Sequence, residues 1–106
     1  MIDPGTPRIL VVEDDEVVAA LTTSLLGESG DVSWAPSAES ALEMLDKSRY
    51  DLLVVDIGLP GISGLDLIRE VKRRDPLLAT LILTGEASFD NAVEAIRAGA
   101  DDFMRK

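Results

Sequence analysis

Short runs of aliphatic residues alternate along this chain with longer segments whose apolar positions recur at helical spacing. Ile9–Val12 is a continuous apolar run of the kind buried on both faces of a parallel sheet. A helix is expected from about Asp15 to Glu28, with Val18, Leu21 and Leu25 on one face and Gly27 and Gly30 near its end. Val32–Ala35 reads as a weaker second strand. Ser37 is placed to cap a helix from Ala38 to about Lys47, whose apolar stripe is Ala38, Ala41, Leu42 and Leu45.

The third strand, Leu52–Val55, runs straight into Asp56. After a loop rich in Gly and Pro, Ser63 with Asp66 three residues later has the pattern of a capping box. It opens a helix through Arg73 with Leu65, Ile68 and Val71 facing inward, and Asp75 and Pro76 stop it. Thr80–Leu83 is the fourth strand. Ser88 caps a last helix through Ala98, with Ala92, Val93 and Ile96 buried and Gly99 as its left-handed C-terminal residue. Phe103 and Met104 begin a fifth strand.

This alternation predicts βα units around a parallel sheet, hence an α/β fold. At 106 residues the chain is expected to be one domain. Residues 1–7 hold two Pro and one Gly and read as a flexible lead-in, so the domain spans 8–106. Aromatics make up 4% of the chain, so its core must be filled by Leu, Ile, Val and Ala.

Composition narrows the chemistry. There is no Cys and no His, which removes disulfides, thiol nucleophiles, zinc sites of the usual kind and Ser-His triads. The net charge of −10 repels phosphate backbones and anionic membrane surfaces, so no direct nucleic-acid or membrane partner is expected and a cation is. No apolar run approaches the roughly 20 residues of a membrane helix, and the chain reads as cytoplasmic.

In a doubly wound sheet, ligands bind beyond the carboxyl ends of the strands. Strand one ends in Glu13, Asp14 and Asp15, strand three in Asp56, strand four in Thr84, and strand five close to Lys106. Acidic residues from Glu13 to Glu16 also suit the positive end of the first helix, and capping alone could account for any one of them. Asp56 differs, because it follows a buried apolar run. Two carboxylates about 5 Å apart repel by roughly 3 kcal/mol at an effective dielectric near 20, a cost that a bound cation removes. Oxygen-only ligands favour Mg²⁺ over zinc or copper. A carboxylate nucleophile, a hydroxyl and an ammonium on one rim suggest phosphoryl transfer. Trp34 is expected to lie away from that rim.

From Arg8 to Lys106 the sequence resembles a receiver domain of bacterial two-component signalling. ILVVEDDE at the first strand, DLLVVDIGLPGISGLDLI around Asp56, LILTGEAS around Thr84 and AIRAGADDFMRK at the end carry the likeness. The resemblance implies a flavodoxin-like sheet in the order 2-1-3-4-5, with Glu13, Asp14 and Asp56 binding Mg²⁺ and the Gly58 backbone carbonyl completing the metal site. It implies Asp56 as phosphoacceptor, Thr84 and Lys106 contacting the phosphoryl group, Asp15 outside the metal's direct ligands, and Thr84 and Phe103 as the switch pair. The implied donor is a phosphohistidine on a sensor histidine kinase or histidine phosphotransfer protein, and the implied consequence is control of an output domain or effector not in this chain.

Family members continue past the lysine into a fifth helix, which this chain lacks, so the domain is expected to be truncated after its fifth strand. An apolar face left near strands one and five favours a dimer. Two alternatives differ in class. An unphosphorylated interaction module would keep the fold but has no reason to keep all five polar pocket residues. A small hydrolase using Asp56 would need an acid two residues later, where this chain has Gly58. The reading is a phosphoacceptor switch rather than an enzyme.

Overall fold

The computed structural model describes residues 5–56, 63–84, 97 and 99–105, with 84 and 103–105 described by their backbone. Strands β1 (Arg8–Val12), β2 (Asp31–Ala35), β3 (Leu52–Asp56), β4 (Ala79–Thr84) and β5 (Asp102–Arg105) form one parallel sheet in the order β2-β1-β3-β4-β5. Helices α1 (Glu16–Leu26), α2 (Ala38–Lys47) and α3 (Gly64–Arg74) follow the first three strands. The expected α/β fold and strand order are thus observed. The helix expected from Ser88 to Ala98, with Ala92, Val93 and Ile96, falls outside the described residues except at Arg97, which is helical.

Right-handed crossovers decide which face each helix covers. The β1–β2 step moves one way across the sheet, and the β2–β3 and β3–β4 steps move the other, so α1 takes one face and α2 and α3 the opposite one. Alternation along β1 and β3 feeds both layers. Leu10, Val12, Leu53 and Val55 enter a large core with Ala38, Ala41, Leu67, Ile68 and Val71. Ile9, Val11 and Val54 enter a smaller one, packed by Leu26, Val32 and Leu52. Fully burying a side chain such as Leu10 or Leu53 stabilises the fold by roughly 2–3 kcal/mol.

Helix α1 departs from the expected stripe. Leu21 and Leu25 are 61% and 80% exposed, Val17 beside them is 69% exposed, and Ala19 is the side chain buried against the sheet. Apolar residues occupy both sides of this helix, so spacing marks an apolar face without saying which one is covered. The small Ala19 lets the helix approach closely.

Helix starts follow the side chains that cap them. Asp15 accepts from the backbone N–H groups of Val17 and Val18 at 2.9 and 3.2 Å, and Ser37 accepts from that of Ser40 at 3.1 Å. Ser63 accepts from the N–H of Asp66 at 3.1 Å. The capping box is only half made, because the Asp66 carboxylate pairs with Arg69 at 2.9 Å.

Two glycines answer to geometry. Gly99 has φ of 108°, the left-handed conformation expected of it. At Gly30 a Cβ would lie 2.5 Å from the Pro7 carbonyl oxygen, which itself accepts from the N–H of Asp31 at 2.8 Å.

At the amino-terminal rim of the sheet, Arg8 and Asp51 exchange two hydrogen bonds, both 2.8 Å, and the Arg8 guanidinium lies 4.9 Å from the centre of the Tyr50 ring. The turn joining α3 to β4 also sits there. In it the N–H of Leu77 donates to the Asp75 carboxylate at 3.2 Å, and the Leu77 side chain is 93% exposed.

Candidate acidic phosphoacceptor site

The parallel register brings the chemistry to the opposite rim. Val12 pairs with Val55, so Glu13, just past the end of β1, comes beside Asp56, the last residue of β3. Asp56 pairs with Leu83, which puts Thr84 one position further along β4, and Thr84 pairs with Arg105. The side chains of Thr84 and Phe103 lie outside the described residues, as do Gly58 and Lys106 altogether.

Glu13, Asp14 and Asp56 each offer a carboxylate oxygen, and these oxygens lie within 4.8 Å of one another. At that separation two full charges repel by roughly 3 kcal/mol at an effective dielectric near 20. Glu13 is buried, Asp14 exposed and Asp56 between the two, so the cluster opens to solvent on one side. An all-oxygen donor set that is partly open to water fits a hard divalent cation such as Mg²⁺ or Ca²⁺.

Local folding builds the cluster from a short turn. The Glu13 N–H donates to the Ala35 carbonyl at 3.1 Å, which extends the β1–β2 ladder by one bond. The Asp15 N–H donates to Glu13 Oε1 at 3.3 Å, and the Asp15 carboxylate caps α1. Asp15 is therefore committed to the helix. Asp14 stands between two anchored neighbours with its carboxylate directed to the cluster.

One participant was not anticipated. Trp34, expected away from this rim, donates its indole Nε1–H to the Glu13 carbonyl at 2.7 Å. The clue was present in strand register, since Trp34 is the penultimate residue of β2 and pairs with Val11, two residues before Glu13.

Comparison with known proteins agrees with this architecture. The family model described as the response regulator receiver domain matches residues 9–106. The chain is 44% identical over 100 residues to the two-component response regulator PhoP of Pseudomonas aeruginosa, covering 93% of this chain and 44% of that protein. It is 38% identical over 104 residues to the transcriptional regulatory protein TrcR of Mycobacterium tuberculosis, covering 96% of this chain and 40% of that protein. The chain thus spans less than half the length of these curated relatives.

Among solved structures, a response regulator from Burkholderia pseudomallei, described with a phosphorylated aspartic acid, calcium ion and citrate, matches with a TM-score of 0.86 at 34% identity, covering 94% of this chain and 59% of that one. A response regulator receiver domain protein from Clostridium thermocellum matches with a TM-score of 0.87 at 32% identity, covering 94% and 82%. Among the described residues no helix is long and apolar enough to cross a membrane. With its sheet order, its acidic rim and a family match over nearly its whole length, this chain belongs to the response regulator receiver domain family of two-component systems.

Proposed function

We propose that Asp56 accepts a phosphoryl group from a phosphohistidine, and that residues 8–106 form the receiver unit in which this happens. The observation that carries the reading is the convergence of the Glu13, Asp14 and Asp56 carboxylates within 4.8 Å at the carboxyl ends of β1 and β3. A solved relative described with both a phosphorylated aspartic acid and a divalent cation supports it.

Glu13, Asp14 and Asp56, with the Gly58 carbonyl, would hold Mg²⁺, which when bound neutralises charge on the transferred group. One Asp56 carboxylate oxygen forms the new O–P bond as the donor's N–P bond breaks. The electron pair goes to the leaving imidazole nitrogen. Thr84 donates a hydrogen bond to the phosphoryl oxygens and Lys106 offsets their charge. The phosphorylated carboxylate then draws Thr84 inward, and Phe103 follows it, so that a local charge change alters the surface seen by an output domain or effector.

The donor is a sensor histidine kinase or a histidine phosphotransfer protein, and the setting is the cytoplasm. Incubation with acetyl phosphate and Mg²⁺, read by intact mass, tests the reading. Wild type should gain one phosphoryl group and Asp56→Asn none. Equal gain in both, or no gain in wild type, defeats it.

A further inference from the structure

We infer that Trp34 is a positioning residue for the acidic turn, holding the Glu13–Asp14 peptide in the orientation that lets the three carboxylates converge. The inference rests on the proposed reading of that cluster as the cation site.

The Glu13 carbonyl lies just beyond the end of β1. On its β2 side the backbone ladder closes with the bond from the Glu13 N–H to the Ala35 carbonyl. A backbone acceptor in a part-buried position needs a partner, and the indole of Trp34 supplies it at 2.7 Å. Trp34 pairs with Val11, so its indole reaches forward over the end of β1 to a carbonyl two residues further on. The ring borders a groove of about 450 Å³ along α1, lined by Glu16, Ala19, Ala20, Thr23 and Ser24. Small side chains on that helix leave room for it.

The Glu13 carbonyl and the Asp14 N–H belong to one rigid peptide plane. Fixing the carbonyl therefore fixes the direction in which the chain enters Asp14. Asp15 secures the other side of the turn through its backbone N–H, which donates to the Glu13 carboxylate. Removing the indole N–H takes that hydrogen bond from the carbonyl and loosens the plane it helps to hold. Asp14, the exposed member of the cluster, is then the carboxylate most able to swing away. Bound cation would in turn stiffen the peptide that Trp34 holds, so its emission should respond to occupancy.

Trp34 is the sole tryptophan of the chain, so its emission reports this one place. The test titrates Mg²⁺ into wild type and Trp34→Phe by calorimetry, follows Trp34 emission in wild type, and compares metal-free unfolding midpoints. The expected result is an emission change whose midpoint matches the calorimetric one, with Trp34→Phe binding Mg²⁺ roughly 3- to 10-fold more weakly. A variant whose unfolding midpoint drops while its Mg²⁺ affinity stays within about twofold of wild type overturns the inference, because a merely structural role predicts that pattern. Emission unmoved at saturating Mg²⁺ also overturns it, and this arm decides if the variant does not fold. Absence of calorimetric binding in wild type removes the cation site itself, and the inference with it.

Discussion

The Lys72 ammonium lies 2.8 Å from the Asp101 carboxylate, joining helix α3 to the residue that leads into β5. The same carboxylate oxygen accepts from the Thr80 N–H at 2.8 Å, and Lys72 also donates to the Leu78 carbonyl at 2.7 Å. One acid thus ties together a helix and the two outermost strands on that side of the sheet.

That arrangement has a pH signature. Lys72 first, and the Thr80 N–H second, hold the Asp101 carboxyl below the usual carboxylate range. A lowered folded-state value means that the stabilisation is complete above the unfolded value near about 4 and disappears as pH falls through the folded one. The carboxylate is 54% exposed, so solvent screens the pair and Asp101→Asn should cost only about 1 kcal/mol at neutral pH. Urea unfolding of both proteins from neutral to acid pH should show the difference shrink below about pH 4. A gap that stays constant into strong acid would contradict the assignment.

Neighbouring aspartates in the acidic turn should separate by phenotype. Asp15→Ala removes the α1 cap and should lower stability by about 1 kcal/mol while leaving Mg²⁺ affinity nearly unchanged. Chemical denaturation and calorimetry on the same sample check both halves.

Asp14→Asn should do the reverse. It relieves repulsion among three converging carboxylates, so the metal-free protein should be as stable as wild type or slightly more so. Wild type should gain about 1.4 kcal/mol from Mg²⁺ at ten times its dissociation constant, and the variant should gain little at the same concentration. Thermal melts with and without Mg²⁺ are the measurement.

Leu53 and Leu25 provide a test of the layer assignment. Leu53 is fully buried in the larger core, and its truncation to Ala should cost about 3 kcal/mol. Leu25 is 80% exposed, so Leu25→Gln should change stability by less than about 0.5 kcal/mol. Comparable losses at both positions would show that the exposed side of α1 is covered in solution.

Much of this architecture was legible in the sequence because its signals are local. Apolar runs such as Leu52–Val55 mark buried strands wherever they occur, and Ser37, Ser63 and Asp15 mark helix starts through their own backbone bonds. The convergence of Glu13, Asp14 and Asp56 followed from strand ends sharing one rim. Features that depend on which surfaces meet were harder to see. Nothing in the spacing of Val18, Leu21 and Leu25 reveals that the sheet is approached through Ala19. Nor does composition reveal that an edge-strand tryptophan reaches forward to the Glu13 carbonyl. Asp66 matched a capping box in spacing, yet Arg69 competes for its carboxylate.

The exposed turn at Leu77 offers a practical handle. Every strand runs the same way, so this turn stands at the opposite end of β4 from Thr84, roughly 17 Å along the strand. A dye, a tether or a short inserted peptide joined there would ride on the molecule without entering the acidic rim, leaving the proposed chemistry open to observation from a distance.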